Sequence, residues 1–567
     1  MSIQDWIVLL LTLFSVIAYG VYKSRHEPSL DSYIKSNNSM GGLLILLSVM
    51  GTQASAITFL SAPGQAYTDG MRFVQYYFGL PLAMVVLCIT FVPMFHKLKV
   101  FTAYEFLEQR FDHKTRTFTA LLFLISRGLS TGISIYAPSI ILSSLMGWNI
   151  YITNLVMGGL LIVYTMAGGA RAVAYTQMQQ LMIVFAGMFL AAWMMVDMLP
   201  EGIGFKDALK ISGKMGKLNI IETRLDVTDP SWWKDKYNIW SGLIGGFFLA
   251  LSYFGTDQSQ VGRYLTARNI RESRVGLLMN GIVKVPMQFF ILLIGAILFT
   301  FYLLVGSPLF FNQKQLDKVQ QSAYGMELDQ LNHANDSLNI LSRERSISLA
   351  NFIHSSEESE SITQDLKDLQ VQKNNLRTEA IRLMKVADKT ADTNDTNYIF
   401  LYFVVHHLPK GLIGLLIAVI FLAAWGSIAA ALHSLASSTV VDLYKRSWVP
   451  DMSEMHYYRT SRWMILGWGI FCIATAMFAS KLGSLIEAVN ILGSLFYGTI
   501  LGIFVVAFYM KTIRGHAVFY AAIVSELCVI ALYIADVVSF LWLNAVGCLL
   551  VMGLAFLLNN IRKNHSQ

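Results

Sequence analysis

Long stretches of this chain run for about twenty residues with hardly a charge among them. A helix needs about 20 such residues to cross the hydrocarbon core of a bilayer. Within lipid only a helix or a closed barrel satisfies its own backbone. Thirteen stretches reach that length: 5–23, 42–65, 73–95, 117–145, 150–168, 172–198, 239–261, 275–306, 411–441, 458–480, 484–509, 515–536 and 538–558. Charged residues make up 14% of the 567 positions, where soluble domains carry about 25%. That excludes a string of soluble domains. The 55% apolar content excludes a disordered chain. Cys88, Cys472, Cys528 and Cys548 all fall in apolar runs and read as small core residues, not a disulfide scaffold or a metal cluster. The expectation is an all-α polytopic membrane protein with about 13 transmembrane helices.

Orientation follows from where Lys and Arg collect. Alternate loops hold Lys23, Arg25 and Lys35; Lys97, Lys99, Arg110, Lys114 and Arg116; Arg171; Arg263, Arg268, Arg271 and Arg274; Lys445, Arg446, Arg459 and Arg462; Lys511 and Arg514; and Arg562 and Lys563. The opposite short loops hold little beyond Arg72 and Lys481. The N-terminus is therefore expected outside and the C-terminus in the cytoplasm, in a plasma membrane (the inner one in a Gram-negative bacterium). The net charge of +7 is absorbed by these loops, so the bilayer and not nucleic acid is the expected partner. Met1-Ser2-Ile3-Gln4-Asp5 carries no positive charge and no small-residue cleavage site follows, so the first stretch is not a signal peptide.

Two long segments, 199–238 and 307–398, fall outside the spans. In the second, Ile362, Leu369, Leu376 and Leu383 recur every seven residues, and Leu328, Leu331, Leu338 and Leu341 keep a helical stripe. It reads as two polar helices, either packed on each other or offering a docking surface to an outer partner.

Polar groups deep in a bilayer are costly, about 2.5–3.5 kcal/mol for a charge on insertion scales, and so point to function. Gly51-Thr52-Gln53-Ala54-Ser55-Ala56 interrupts the second stretch, and Ser61-Ala62-Pro63-Gly64 follows. Such a run suits an unwound helix whose carbonyls coordinate a cation, or tight small-residue packing. Arg127 lies about ten residues into the fourth stretch, roughly 15 Å deep. It calls for a carboxylate, either the protein's or a solute's. Lys284 is as deep in the eighth, with Asp257 or a polar ligand as its partner. In the ninth, Ser427, Ser434, Ser437 and Ser438 allow close helix approach or a sodium shell, and His433 suits an interhelical hydrogen bond better than a proton relay. No P-loop, HExxH, GxSxG or metal quartet is present, so an enzyme is not expected.

Several runs resemble the sodium:solute symporter family: Thr58-Phe59-Leu60-Ser61-Ala62-Pro63-Gly64-Gln65-Ala66-Tyr67; Tyr104-Glu105-Phe106-Leu107-Glu108-Gln109-Arg110-Phe111; Gly168-Gly169-Ala170-Arg171-Ala172-Val173 with Thr176 and Gln180; Gly255-Thr256-Asp257-Gln258 through Arg263-Tyr264-Leu265; and Ser434, Asp442 and Tyr444. The resemblance implies the leucine-transporter fold, two inverted repeats of five helices. The extra N-terminal helix would occupy 1–30, the first repeat and start of the second 31–306, the extracytoplasmic insert 307–398, the rest of the second repeat 399–514, and two C-terminal helices with a tail 515–567. It further implies sodium-driven uptake by alternating access with no cofactor. One inward cation gains about 2.3 kcal/mol per 100 mV, enough for roughly a 50-fold substrate gradient.

Carried over residue by residue, the family's common sodium site falls on the carbonyls of Gly51, Ala54 and Ala423 and on Gly426 and Ser427, where two serines are usual. A second sodium site of some members falls on Gln177, Gly426, Ala429 and Ala430, all lacking the side-chain ligand, so one sodium per cycle is expected. For the solute, Tyr253 and Lys284 match a gating tyrosine and a lysine of sugar-carrying members, but the acidic position on the second core helix is Tyr77. Arg127 resembles the arginine of sialic-acid-carrying members. Gln53, Gln75, Tyr77 and Asn490 complete the expected substrate set. The favoured cargo is a small sugar acid or carboxylate. A proton-coupled or uncoupled carrier is one alternative. A receptor or sensor on the same fold, signalling through the insert, is another; the absence of any appended regulatory domain argues against it.

Overall fold

The computed structural model describes residues 1–23, 41–98, 102–167, 170–352, 356–389, 391–479 and 482–565. Arg25, Lys35, Lys99, Lys481 and the Gly168-Gly169 pair lie outside the described residues. Among those described, the regular elements are all helical.

The chain opens with α1 (Ile3–Lys23), then α2 (Gly42–Gln53) and α3 (Ala56–Asp69), a pair bent by 60°. A 3-10 turn, Met71–Tyr77, leads into α4 (Leu80–Ile89) and α5 (Phe91–Leu98). Next come α6 (Glu105–Arg110), α7 (His113–Met146), α8 (Ile150–Ala167), α9 (Ala170–Asp197), α10 (Phe205–Lys214) and α11 (Pro230–Lys234). A second broken helix follows, α12 (Gly246–Thr256) and α13 (Gln258–Leu265), then α14 (Ile270–Val305). The insert holds α15 (Gln313–Gln320), α16 (Gly325–Asn351) and α17 (Ser356–Ala387). The chain returns through α18 (Ile399–His407), α19 (Leu412–Ser438) with a π-type continuation Thr439–Trp448, α20 (Glu454–Ala476), α21 (Leu485–Tyr509), α22 (Gly515–Ile534) and α23 (Phe540–His565).

The described parts of the thirteen apolar stretches are mostly helical. Among the described residues, eight helices are long and apolar enough to cross a bilayer, and the bent α2–α3 pair is a ninth. Ile3–Val16, Ile150–Met166 and Ser241–Thr256 are apolar but shorter. The helical path is broken at Ala54–Ser55 and again at Asp257, where α2 gives way to α3 and α12 to α13.

Side-chain caps set several starts. Asp112 accepts from the Thr115 amide at 2.8 Å, and Asn269 from the Glu272 amide at 3.0 Å. Gly147 and Gly306, at φ of 71° and 102°, end α7 and α14 in the left-handed region. α19 is buried along nearly its whole length and is the axis of the core, while α8 exposes Ile152, Leu155 and Val163 as a lipid-facing helix must.

The insert is a helical hairpin, but its leucine stripe is only half right. Leu328 and Leu383 are buried in one small core with Leu316 and Met384, while Leu349 and Leu366 pack on Ile211, Phe299 and Leu303 of the membrane-facing body. Leu341 is 46% exposed. Ser342, Ser346, Ser359 and Thr363 are the buried positions instead, small enough to let α16 and α17 approach closely.

Candidate functional site

A cavity of about 100 Å³ lies at the helix break. Thr52, Gln53, Ser55 and Thr58 come from the two sides of the break, Tyr76 and Tyr77 from the 3-10 turn, and Arg127, Thr131 and Ser134 from α7. Tyr253 from α12, Ser427 from α19, and Asn490 and Tyr497 from α21 complete the polar wall. Hydroxyls and amides dominate, and Arg127 is the one charged side chain in the lining.

The break itself frees two acceptors. The Ser55 amide turns to the Gln53 carbonyl at 3.1 Å, and the Thr58 amide to Ser55 at 3.0 Å. The regular i→i−4 partners, the carbonyls of Gly51 and Ala54, thus lose their helical donors. These are two of the carbonyls expected to hold sodium. Opposite them on α19, the Ser427 hydroxyl donates back to the Ala423 and Ala424 carbonyls at 3.0 and 3.1 Å, keeping its lone pairs for a cation. Carbonyl and hydroxyl oxygens are the donor set a hard cation needs.

Gln177 on α9 ties both walls together. Its Nε2 donates to the Gly426 carbonyl at 3.0 Å and the Thr52 hydroxyl at 3.1 Å, and its Oε1 accepts from Ser48 at 3.0 Å. One amide group thus links the helix break on α2 to the middle of α19. Both glycines lie close against α9. A methyl at Gly51 would sit 2.9 Å from the Gln177 Cβ, and one at Gly426 would collide with Gln180 Oε1.

Arg127 is not a free cation. Its Nε and Nη2 donate to Asp257 Oδ2, the first at 3.1 Å, and Tyr497 donates to the same oxygen at 3.0 Å. The other oxygen of Asp257 caps α13 through the Ser259 amide at 2.8 Å. The guanidinium lies 5.2 Å from the centre of the Tyr253 ring, whose hydroxyl accepts from Gln260 at 2.7 Å. Nη1 takes no part in the bonds to Asp257 and Tyr497, and the guanidinium also acts on the Tyr253 hydroxyl.

With Asp257 taken, the partner suggested for Lys284 is gone. Its amine is fully buried, without a hydrogen-bond partner among the described residues, 5.7 Å from the Tyr77 ring centre. Lys284 therefore stands behind Tyr77, outside the cavity. Gln75 is also outside. It donates to the Tyr237 carbonyl at 2.9 Å and accepts from the Glu222 amide at 3.1 Å, anchoring the 199–238 segment. Beside it Tyr237 and Lys236 hold Glu487 at 2.9 and 3.0 Å. Tyr76 and Asn490 meet across the cavity at 3.1 Å. Tyr497, Tyr76 and Thr58 were not anticipated as site residues; a lone tyrosine within an apolar helix was the only available signal for the first.

At the other end of α7 a charged cluster joins three elements. Arg116 binds Asp442 at 2.7 Å and Glu108 at 2.8 Å, and Arg446 also pairs with Glu108. Thr102 and Ser438 fill the remaining acceptor sites of Asp442 at 2.7 and 2.6 Å.

Two half-broken helices around a hydroxyl-rich cavity, with unsatisfied carbonyls at the break, define a membrane carrier of the inverted-repeat kind. The model of the "Sodium:solute symporter family" matches residues 33–320 and 376–525. The chain belongs to that family, whose members couple solute movement to sodium. It is 25% identical over 558 residues to a sodium/sialic acid symporter of Proteus mirabilis, covering 97% of this chain and 93% of that protein. It is 25% identical over 516 residues to the sodium-dependent multivitamin transporter of Oryctolagus cuniculus, covering 89% of this chain and 66% of that longer protein. The solved outward-open, substrate-bound structure of a Na+-coupled sialic acid symporter aligns at a TM-score of 0.75 with 22% identity, over 99% of this chain and 98% of that one. That likeness establishes the leucine-transporter arrangement as the fold.

Proposed function

We propose that this protein imports a small hydroxylated carboxylate, such as a sugar acid, together with one sodium ion. The carrying observation is the Nη1 edge of Arg127, which neither Asp257 nor Tyr497 takes, presented among hydroxyls and amides at the helix break. A carboxylate accepts well from such an edge, and ten or so hydroxyl and amide neighbours suit a polyhydroxylated body. A relative covering nearly the whole chain is named for sialic acid, which is both a sugar and a carboxylate. Sodium sits at the Gly51, Ala54 and Ala423 carbonyls with Ser427, and Gln177 occupies the place of a second ion. Gln53 and Asn490 contact the solute, with Tyr77 and Tyr253 lining its pocket. The cavity is smaller than the roughly 300–1,000 Å³ typical of ligand sites, so loading parts the Tyr76–Asn490 contact. In this reading the N-terminus lies outside and the C-terminus in the cytoplasm, as the distribution of Lys and Arg among the loops favours.

The test is uptake into proteoliposomes of radiolabelled sialic acid, gluconate and lactate under sodium, choline and pH gradients. Sodium-dependent accumulation of a carboxylate bears the proposal out. Accumulation of an uncharged sugar alone, or drive by protons alone, refutes it.

A further inference from the structure

A second cavity, of about 450 Å³, lies where residues 312–321 of the insert lean on the turn between α7 and α8. Ligand cavities of about 300–1,000 Å³ are the usual size for a small molecule or headgroup. Its walls carry charges of both signs that do not neutralise one another. The Lys314 ammonium donates to two neutral acceptors, the Ser143 hydroxyl at 3.1 Å and the Trp148 carbonyl at 2.7 Å. It has no carboxylate partner among the described residues, and neither Asp317 nor Asp392 has a cationic one. Among the described residues Asp392 accepts from the Asn394 amide alone, at 3.1 Å. Burial, with Asp395 adding to it, pushes the Asp392 carboxyl up to about 7. Lys318, also in the wall, is already paired with Asp388 at 2.9 Å.

The place of this cavity matters as much as its charges. Trp148 and Tyr151, 41% and 52% exposed, stand in its wall at the start of a membrane-facing helix. Tryptophan and tyrosine at such ends mark the level of lipid headgroups. Ile152, Leu155, Leu160 and Val163 continue from Tyr151 as an exposed aliphatic strip along α8. A polar, two-signed cavity thus opens directly above a surface made for acyl chains.

We propose that this cavity holds the headgroup of an aminophospholipid, its phosphate at Lys314 and its primary ammonium at Asp392 and Asp317, with the acyl chains along α8. The phosphate supplies the charge-assisted acceptor that Lys314 lacks. The ammonium supplies N–H donors to carboxylates that have none, which a quaternary amine cannot do. A soluble amino acid carries both charges but makes no use of the strip.

The experiment is native mass spectrometry of the full-length protein in detergent, with phosphatidylethanolamine, phosphatidylcholine and phosphatidylglycerol added at equal concentration. One phosphatidylethanolamine retained per chain, at least fivefold over the other two, is the expected result. Lys314→Ala and Asp392→Asn lower that retention to the phosphatidylcholine level. Equal retention of all three lipids, a preference for phosphatidylglycerol, or retention unaltered in both variants overturns the proposal. So does displacement of the lipid by glycine or by soluble phosphoethanolamine at millimolar concentration, which would assign the cavity to a free zwitterion. Should the variants fail to fold, the ranking of the three lipids on the unmodified protein decides alone.

Discussion

At the scale of single residues, the pairing of Arg127 with Asp257 decides how the site is to be probed. Removing Arg127 outright leaves a buried carboxylate without its cation, a change that typically costs about 3–5 kcal/mol whatever the residue does for solute. Arg127→Lys keeps the charge and loses the Nη1 edge. We expect it to fold with a melting temperature close to that of the unmodified protein and to bind a carboxylated solute at least tenfold more weakly by isothermal titration. Unchanged affinity would remove Arg127 from the solute site. Ser427→Ala should raise the sodium concentration for half-maximal uptake several-fold at normal expression, because it deletes the one side-chain hydroxyl among the proposed ligands. The reverse change, Gly426→Ser, requires the Gln180 side chain to move, since a Cβ there meets its Oε1.

At the scale of elements, close backbone approach is what sets the helices around the break. Gly295 on α14 faces Pro63 on α3 so tightly that a methyl would collide with the Pro63 carbonyl. Overpacking of this kind costs about 1–3 kcal/mol. Gly295→Ala is expected to lower the detergent melting temperature by several degrees, whereas Gly159→Ala, with nothing within 4 Å, should leave it unchanged or raise it. Helices were readable in the sequence because each needs a long apolar run, and the break at Gly51–Ala56 because small polar residues interrupt one. The partners were not. Asp257 lies 130 positions from Arg127, and nothing local to either says which of Arg127 and Lys284 will claim it. The surroundings of Gln75 were illegible for the same reason: its partners Glu222 and Tyr237 come from a distant part of the chain. The hairpin's packing went half unseen because serines, not leucines, line the close contact between α16 and α17.

At the scale of the whole molecule, the Arg116–Glu108–Asp442–Arg446 cluster fastens the end of α7 to the end of α19. Burial works to raise the Glu108 pKa, but Arg446 and Arg116 outweigh it and hold the carboxyl below its ordinary value. A carboxylate lowered in this way contributes stability that is fully present above the ordinary range, near 4.3, and is lost as pH falls through the lower folded value. Thermal melting in detergent should therefore drop on acidification from about pH 5 toward pH 3, and Glu108→Gln should remove that part of the drop. A curve identical in the variant would show that the cluster carries no such linkage. The Arg127–Asp257 couple is neutral and stays with the protein, so over a full cycle only the load carries charge across. On the proposed reading that load is one sodium ion and one monoanion, electrically silent as a pair. Clamping the voltage across proteoliposomes with potassium and valinomycin should leave the final accumulation unmoved, so that such a carrier would draw its work from the salt difference between the two sides and be indifferent to whether the cell is polarised.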